Sequence, residues 1–158
     1  MKKTEIKHNR SIGKLIGMLS RSAHIYFHHQ FKDSTIGHAQ VFTLHFLSKH
    51  DGISQNELVQ HFHMDKSSVT SQLNNLEKNG YIVRIKSAGD GRSRQIFMTD
   101  KAKEMSDDLH KVFIGWSQIL LEGLSDEEVD KAFELAEHMH NNAKKKIHDI
   151  KAQRHEGE

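Results

Sequence analysis

Apolar residues recur at three- and four-residue spacings along most of this chain and alternate with polar ones in only one short region. Over residues 10–32, Ile12, Leu15, Ile16, Leu19, Ala23 and Tyr26 fall on one stripe, the pattern of an amphipathic helix. Gly37 interrupts it, and HAQVFTLHFLSKH at 38–50 predicts a second, more buried helix that stops at the Asp51–Gly52 turn. Ser54 and Glu57 have the spacing of a capping box, with Ile53 and Leu58 placed to close a hydrophobic staple. A helix of about two turns should follow, ending at His61 or Phe62. Asp65 is placed to cap the next helix, whose Val69, Leu73 and Leu76 share an inward stripe and which Asn79–Gly80 ends.

Alternation appears next. YIVRIK at 81–86 and the residues closing SAGDGRSRQIFMTD at 87–100 read as two strands around a loop that holds Gly89 and Gly91. A long helix should start near Thr99 or Asp100 and carry Ala102, Met105, Leu109, Val112, Phe113, Trp116 and Leu120. Ser125 and Glu128 repeat the capping box, with Leu124 and Val129 as the staple, and a last helix runs towards residue 148 before a charged tail at 151–158. The expected fold is therefore mainly α with a small β-hairpin wing. Helix, tight turn, helix and hairpin is the order of a winged helix-turn-helix, in which the second helix of the pair enters the major groove of DNA.

Composition narrows the function classes. The chain has 158 residues, 35% hydrophobic and 28% charged, enough for one domain whose apolar surface is partly covered by a second copy. No apolar run is long enough for a bilayer, and MKKTEIKHNRSIGK at the amino end lacks a signal-peptide core, so a cytoplasmic location with no membrane partner is expected. With no cysteine there is no disulfide, no thiolate metal site and no thiol switch, and the absence of proline suits a mostly helical chain. Charge is uneven. Residues 66–94 hold six basic side chains against two acids, whereas 99–131 hold four lysines against nine acids. One region thus faces a polyanion.

The helix after Asp65 fits that partner by phase. With Val69, Leu73 and Leu76 inward, Ser67, Ser71, Asn74 and Lys78 point outward, with Thr70 and Asn75 on their flanks. Hydroxyls and amides hydrogen-bond base edges and phosphates, short side chains let the backbone sit deep, and no glutamate on that line repels phosphate. Lys66 and Ser68 at the helix start, Arg84 and Lys86 on the first strand, and Arg94 on the second complete the candidate DNA-contacting set. The glycines of the loop allow close approach to a sugar–phosphate backbone, and Arg92 or Arg94 can enter a minor groove, with Asp90 bracing the guanidinium or the turn.

SQNELVQHFHMDKSSVTSQLNNLEKNGYIVRIKSAGDGRSRQIFMTDKA resembles the core of the MarR family of multiple-antibiotic-resistance-type regulators. The resemblance lies in the S-x-x-E-L opening, the S-x-V-T-x-x-L-x-x-L-E-x-x-G-Y-I run and the wing D-x-R-x-R-x-I-x-x-T, and it extends over roughly residues 12–148. It implies a homodimer that acts on a pseudo-palindromic operator as a transcriptional regulator, a repressor in the reading adopted here, in a prokaryotic cytoplasm. Residues 1–34 and 100–150 would form the dimerisation helices and 35–99 the winged helix-turn-helix domain. The family's wing arginine falls on Arg92 and its braced aspartate on Asp90. Ser71 stands where a basic residue is common, so the base-reading contacts should differ here.

Similar proteins release DNA when a small aromatic acid binds between the dimer helices and the winged domain. The resemblance puts that cleft beside His24, Phe27, His28, Phe31, Phe42 and His45, with Arg21 as carboxylate partner; the same aromatics would equally serve as core. Fourteen histidines raise the alternative of a zinc-responsive regulator, through His24–His28, His61–His63 or His138–His140. No matching carboxylate cluster accompanies them, so neither metal nor cofactor is assigned. There is no glycine-rich phosphate loop, HExxH or nucleophile elbow, and Asp107 and Asp108 point about 100° apart on a helix, so an enzyme is not expected. A winged helix that binds only protein is the stronger competitor.

Overall fold

A computed structural model describes residues 11–86 and 94–155. Among them the order is α1 (Ile12–Gln30), α2 (His38–Leu47), β1 (Ile53–Ser54), α3 (Gln55–Phe62), α4 (Lys66–Lys78), β2 (Ile82–Lys86), β3 (Arg94–Met98), α5 (Asp100–Glu104), α6 (Ser106–Leu121) and α7 (Asp126–His155). None of the described helices is long and apolar enough to cross a membrane. The chain divides into two compact units, one ending at Trp116 and one beginning at Ser117.

Local chemistry sets the boundaries in the first unit. Ser54 accepts from the Glu57 amide at 3.3 Å while the Glu57 carboxylate accepts from the Ser54 amide at 2.6 Å, so the expected capping box starts α3. That backbone hydrogen bond holds the Glu57 carboxyl below its ordinary pKa. His63 ends α3 in the left-handed region at φ 51°, and Asp65 caps α4 by accepting from the Ser68 amide at 2.7 Å. The stripe of α4 is inward as its phase requires. Val69, Leu73 and Leu76 are buried with Phe27, Leu44, Leu47, Leu58, Ile82, Ile96 and Leu109 in one core. Each such side chain contributes roughly 1.5–3 kcal/mol through burial.

Ile53 does more than staple a helix. With Ser54 it forms β1, a third strand in the antiparallel order β1-β3-β2, with Ile53 opposite Ile96. β2 and β3 pair from Ile82 opposite Met98 to Lys86 opposite Arg94, which puts Ile82, Arg84 and Lys86 on one face with Met98, Ile96 and Arg94. The Asp51–Gly52 turn locks this sheet to the end of α2. The Asp51 carboxylate accepts from the Met98 amide at 2.7 Å, and the Gly52 amide donates to the Ile96 carbonyl at 2.8 Å.

Two helix boundaries differ from expectation. The helix expected to run unbroken from residue 99 or 100 is interrupted at Met105, whose amide turns back to the Ala102 carbonyl at 3.2 Å, a tightened turn with no glycine or proline to announce it. In the second unit, Ser125 and Glu128 exchange the expected cap bonds at 2.9 and 3.4 Å, and α7 continues beyond residue 148 to His155. The stretch 149–155 is composed largely of good helix formers and meets no breaker before Gly157, so the charged end at 151–155 is helix rather than loose tail.

Gly52 is the position least tolerant of a side chain. It sits at φ +82°, and a Cβ there would lie 2.8 Å from the Phe97 ring. Gly52→Ala should lower unfolding stability by about 1–2 kcal/mol, since alanine is strained at positive φ and the ring must also shift. Urea denaturation of both proteins checks this, and an unchanged midpoint would mean that the turn relaxes without cost.

Candidate nucleic-acid interface

The outward face of α4 is an open surface. Lys66, Ser67, Thr70, Ser71 and Asn74 line a hollow of about 640 Å³ along it, and Ser67, Ser71, Asn74, Asn75 and Lys78 are exposed. The structure therefore brings five of the expected residues together on the side opposite the buried stripe. Several are already hydrogen-bonded. The Thr70 hydroxyl donates to the Lys66 carbonyl and accepts from the Gln55 amide nitrogen, each at 2.6 Å, so it holds α3 against α4. Asn75 accepts from the Asn79 side chain at 2.6 Å. Ser67 and Ser68 both donate their hydroxyl protons to the Asp65 carboxylate. These donors hold the Asp65 carboxyl far below the ordinary aspartate range, the Ser67 bond being the largest cause.

Arg84 fastens the wing to this helix. Its Nε donates to Glu77 Oε2 at 3.1 Å, its Nη2 contacts the same oxygen, and Nη2 also donates to Asn74 Oδ1 at 2.7 Å. The hydrogen bonds from Arg84 lower the Glu77 pKa. Arg84, expected as a DNA contact, is largely shielded, with 14% of its side chain exposed, and it joins β2 to α4. Neither Glu77 nor Gln55 was singled out from the sequence. Their roles depend on the register of β2 and the docking of α3, which no helical phase encodes.

At the far end of the paired strands, Lys86 and Arg94 are cross-strand partners and both are exposed. Like charges directly opposite each other weaken a hairpin, so this pair is better suited to a nearby anion than to the hairpin itself. Asp90 and Arg92 lie outside the described residues.

The residues expected to take an aromatic acid divide between core and surface. Phe27 and Phe31 are buried in the core, and Phe42 packs against it. His45 stacks on Phe113 with ring centroids 4.0 Å apart, its Nδ1 is buried without a hydrogen-bond partner, and burial lowers its pKa. His24 and His28 face outward instead, lining with Ile25, His29 and Lys32 an open hollow of about 530 Å³. Arg21 is exposed one turn away on the same helix. His38, which was not singled out, lies 4.6 Å from His24 ring to ring; burial first, and the neighbouring His24 second, lower its pKa. Among the described residues, no group of three or more histidines and acids is placed to hold a metal ion.

A helix pair across a tight turn, with a paired-strand wing docked on the second helix and one shared core, defines the winged helix-turn-helix class. The MarR family model matches residues 34–93. The chain is 30% identical to a MarR transcriptional regulator from Methanosarcina mazei Go1 whose crystal structure superimposes with a TM-score of 0.79, covering 85% of this chain and 96% of that one. It is 28% identical to the HTH-type transcriptional regulator BilQ of Clostridioides difficile (strain CD3), over 82% of this chain and 86% of that protein. The S. aureus MepR–DNA complex shares the fold, with a TM-score of 0.78 at 24% identity over 84% of this chain and 98% of that one. This chain belongs to the MarR family and is a DNA-binding transcriptional regulator of that type.

The Asp65 cap makes acid stability testable. Its folded pKa is depressed, so its contribution is fully present above the unfolded value of about 3.9 and is lost as pH falls through the folded one. Asn at this position keeps the cap acceptor but removes the titration. Thermal melts between about pH 5 and pH 3 should show wild type losing more stability on acidification than Asp65→Asn. Parallel curves would show that the carboxylate is not held in its ionised form by the serines.

Proposed function

We propose that the protein is a cytoplasmic, homodimeric repressor that binds a pseudo-palindromic operator, with one α4 in each major-groove half-site and the wings against the flanking backbone. The observation that carries this reading is the exposed face of α4, where hydroxyls, an amide and a lysine line one hollow with no acid among them. Lys66, Ser67, Ser71, Asn74 and Lys78 are the groups offered to DNA, Lys86 and Arg94 extend the basic surface, and Arg92 with its neighbour Asp90 would form the wing tip. Half-sites about one helical turn apart require two readers held at fixed spacing. Exposed apolar surface supports a dimer. Ile12, Leu15, Ile16 and Leu19 are all about half exposed on α1, as are Phe133 and Leu135 on α7. We assign residues 1–34 and 100–150 to dimerisation and 35–99 to DNA binding.

The first test is a salt titration. The dimer, with twice the chain mass in sedimentation, should bind generic duplex at low salt and lose affinity steeply as salt rises, because phosphate contacts release counterions. Arg92→Ala should weaken all duplexes alike and reduce the salt slope by about one, with no change in melting temperature. Unchanged affinity with collapsed stability would make Arg92 a structural residue.

The effector reading narrows to the hollow at His24, His28, His29 and Lys32, where imidazoles and an ammonium flank the apolar Ile25. An aromatic carboxylate bound there would lower DNA affinity by favouring a dimer whose recognition helices no longer match adjacent groove turns. A ligand shifts such an equilibrium only through its differential affinity, typically about 1–3 kcal/mol, so partial loss of DNA affinity is expected. Calorimetric titration of salicylate-like acids with and without operator decides it. Operator must weaken acid binding by the same factor, and equal affinities in both titrations would mean binding without regulation.

A further inference from the structure

The hydrogen-bonding character of the α4 surface is set by groups behind it. A guanidinium has donors only, so the end of the Asn74 amide that meets Arg84 Nη2 at 2.7 Å must be its oxygen. The amide nitrogen, with two N–H groups, is the end left to face outward. Asn74 is exposed and lines the same hollow as Ser67. Arg84 is in turn anchored on Glu77, so turning the amide over would bring its N–H groups against the cation. At the other end of the face, an ionised carboxylate has acceptors only, so Ser67 must spend its proton on Asp65, and its oxygen offers lone pairs alone. Asp65 is held in the ionised form by Ser67, by the Ser68 hydroxyl at 2.7 Å and by the Ser68 amide at 2.7 Å.

We propose that this wiring determines operator sequence: Asn74 reads DNA as a donor only and Ser67 as an acceptor only. The proposal rests on α4 being the helix that enters the major groove. An unrestrained asparagine reads adenine in two-point fashion, donating to N7 and accepting from the N6 amino group. Asn74 lacks the second half of that contact. It is matched instead to a keto base, guanine through O6 and N7 or thymine through O4; adenine still offers N7, but beside an N6 amino group that the inward-turned amide oxygen leaves unanswered. Ser67 is matched to an amino base, adenine through N6 or cytosine through N4. Seven residues separate the two, about 10 Å along the helix axis or about three base steps.

Each contact then sorts base pairs by which strand carries the keto base. At the Asn74 position, G·C and T·A are both accepted; C·G is disfavoured because cytosine offers only a donor, and A·T because the N7 contact leaves the N6 amino group without an acceptor. Adenine readout would instead single out one pair of the four.

The test is selection of duplexes from a library randomised across the half-site, at moderate salt, using the full-length dimer. Wild type should show the two-pair signature at two positions about three steps apart. Asn74→Ala should flatten one of them by about tenfold and leave the other, and Ser67→Ala should do the reverse. Arg84→Met frees the amide, and the Asn74-dependent position should change from accepting two pairs to favouring the single adenine-bearing pair. Should Arg84→Met fail to fold, the alanine variants at the two exposed positions still decide. A wild-type preference for one adenine-bearing pair at the Asn74-dependent position would overturn the proposal while leaving DNA binding intact. So would alanine variants that alter no position. If wild type retained no duplex even at low salt, the DNA-binding reading itself would fall and this proposal with it.

Discussion

The winged unit depends on one helix serving two solvents. Burial of Val69, Leu73 and Leu76 in one core with Leu58, Ile82 and Ile96 fixes the rotation of α4, and that rotation decides which residues are left on the exposed face. A turn of about 100°, one residue's worth, would replace the hydroxyl and amide line with another set of side chains. The core is thus where the phase of the recognition face is held. Several short polar residues on the other side are themselves bonded into the unit, Thr70 to Gln55, Ser67 to Asp65 and Asn74 to Arg84.

Rotation does not fix the wing, and here Arg84 takes over. β2 and β3 form an antiparallel pair with a short third strand on one edge only, so the hairpin needs another attachment to keep its angle to α4. Arg84 provides one by reaching Glu77 and Asn74 from the face of β2 that also carries buried Ile82. Because the guanidinium is largely shielded, the pair is screened less than a surface ion pair and holds a more definite geometry. The same contact that joins β2 to α4 also orients the exposed Asn74 amide. Helix and strand pair are therefore not independent, because one side chain, Arg84, bonds to both Glu77 and Asn74.

Much of this was legible in the sequence, and the parts that were not share a cause. Both capping boxes, the Asp65 cap and the inward stripe of α4 follow from residues about three or four positions apart, and the two strands from alternation within each, where spacing maps directly onto geometry. Arg84 reads from the sequence as a DNA contact because it is one of the basic residues of the 66–94 segment. Its actual partners lie seven and ten residues back, and the pairing exists only once β2 has a register. Ile53 as a strand residue needed knowledge of Ile96, forty-three residues away, and Thr70 as a strut needed the docking of Gln55. The aromatic group around Phe27 divided for a similar reason. One helix carries both core and surface residues, and only packing shows that His24 and His28 face out while Phe27 and Phe31 face in.

Under the proposed function, Lys86 and Arg94 are where the fold would give up stability for a polyanionic partner. They are directly opposite at the end of the paired strands, exposed, and follow an Arg84 whose charge is already matched by Glu77. Nothing in the hairpin register favours two cations there, and cross-strand like charges cost a few tenths of a kcal/mol to about 1 kcal/mol. A polyanion reverses the sign of that term, since both charges then gain from one phosphate backbone and release its counterions. The burden is small because it falls at the solvent end of the sheet, away from Ile82 and Met98, where high dielectric weakens the repulsion.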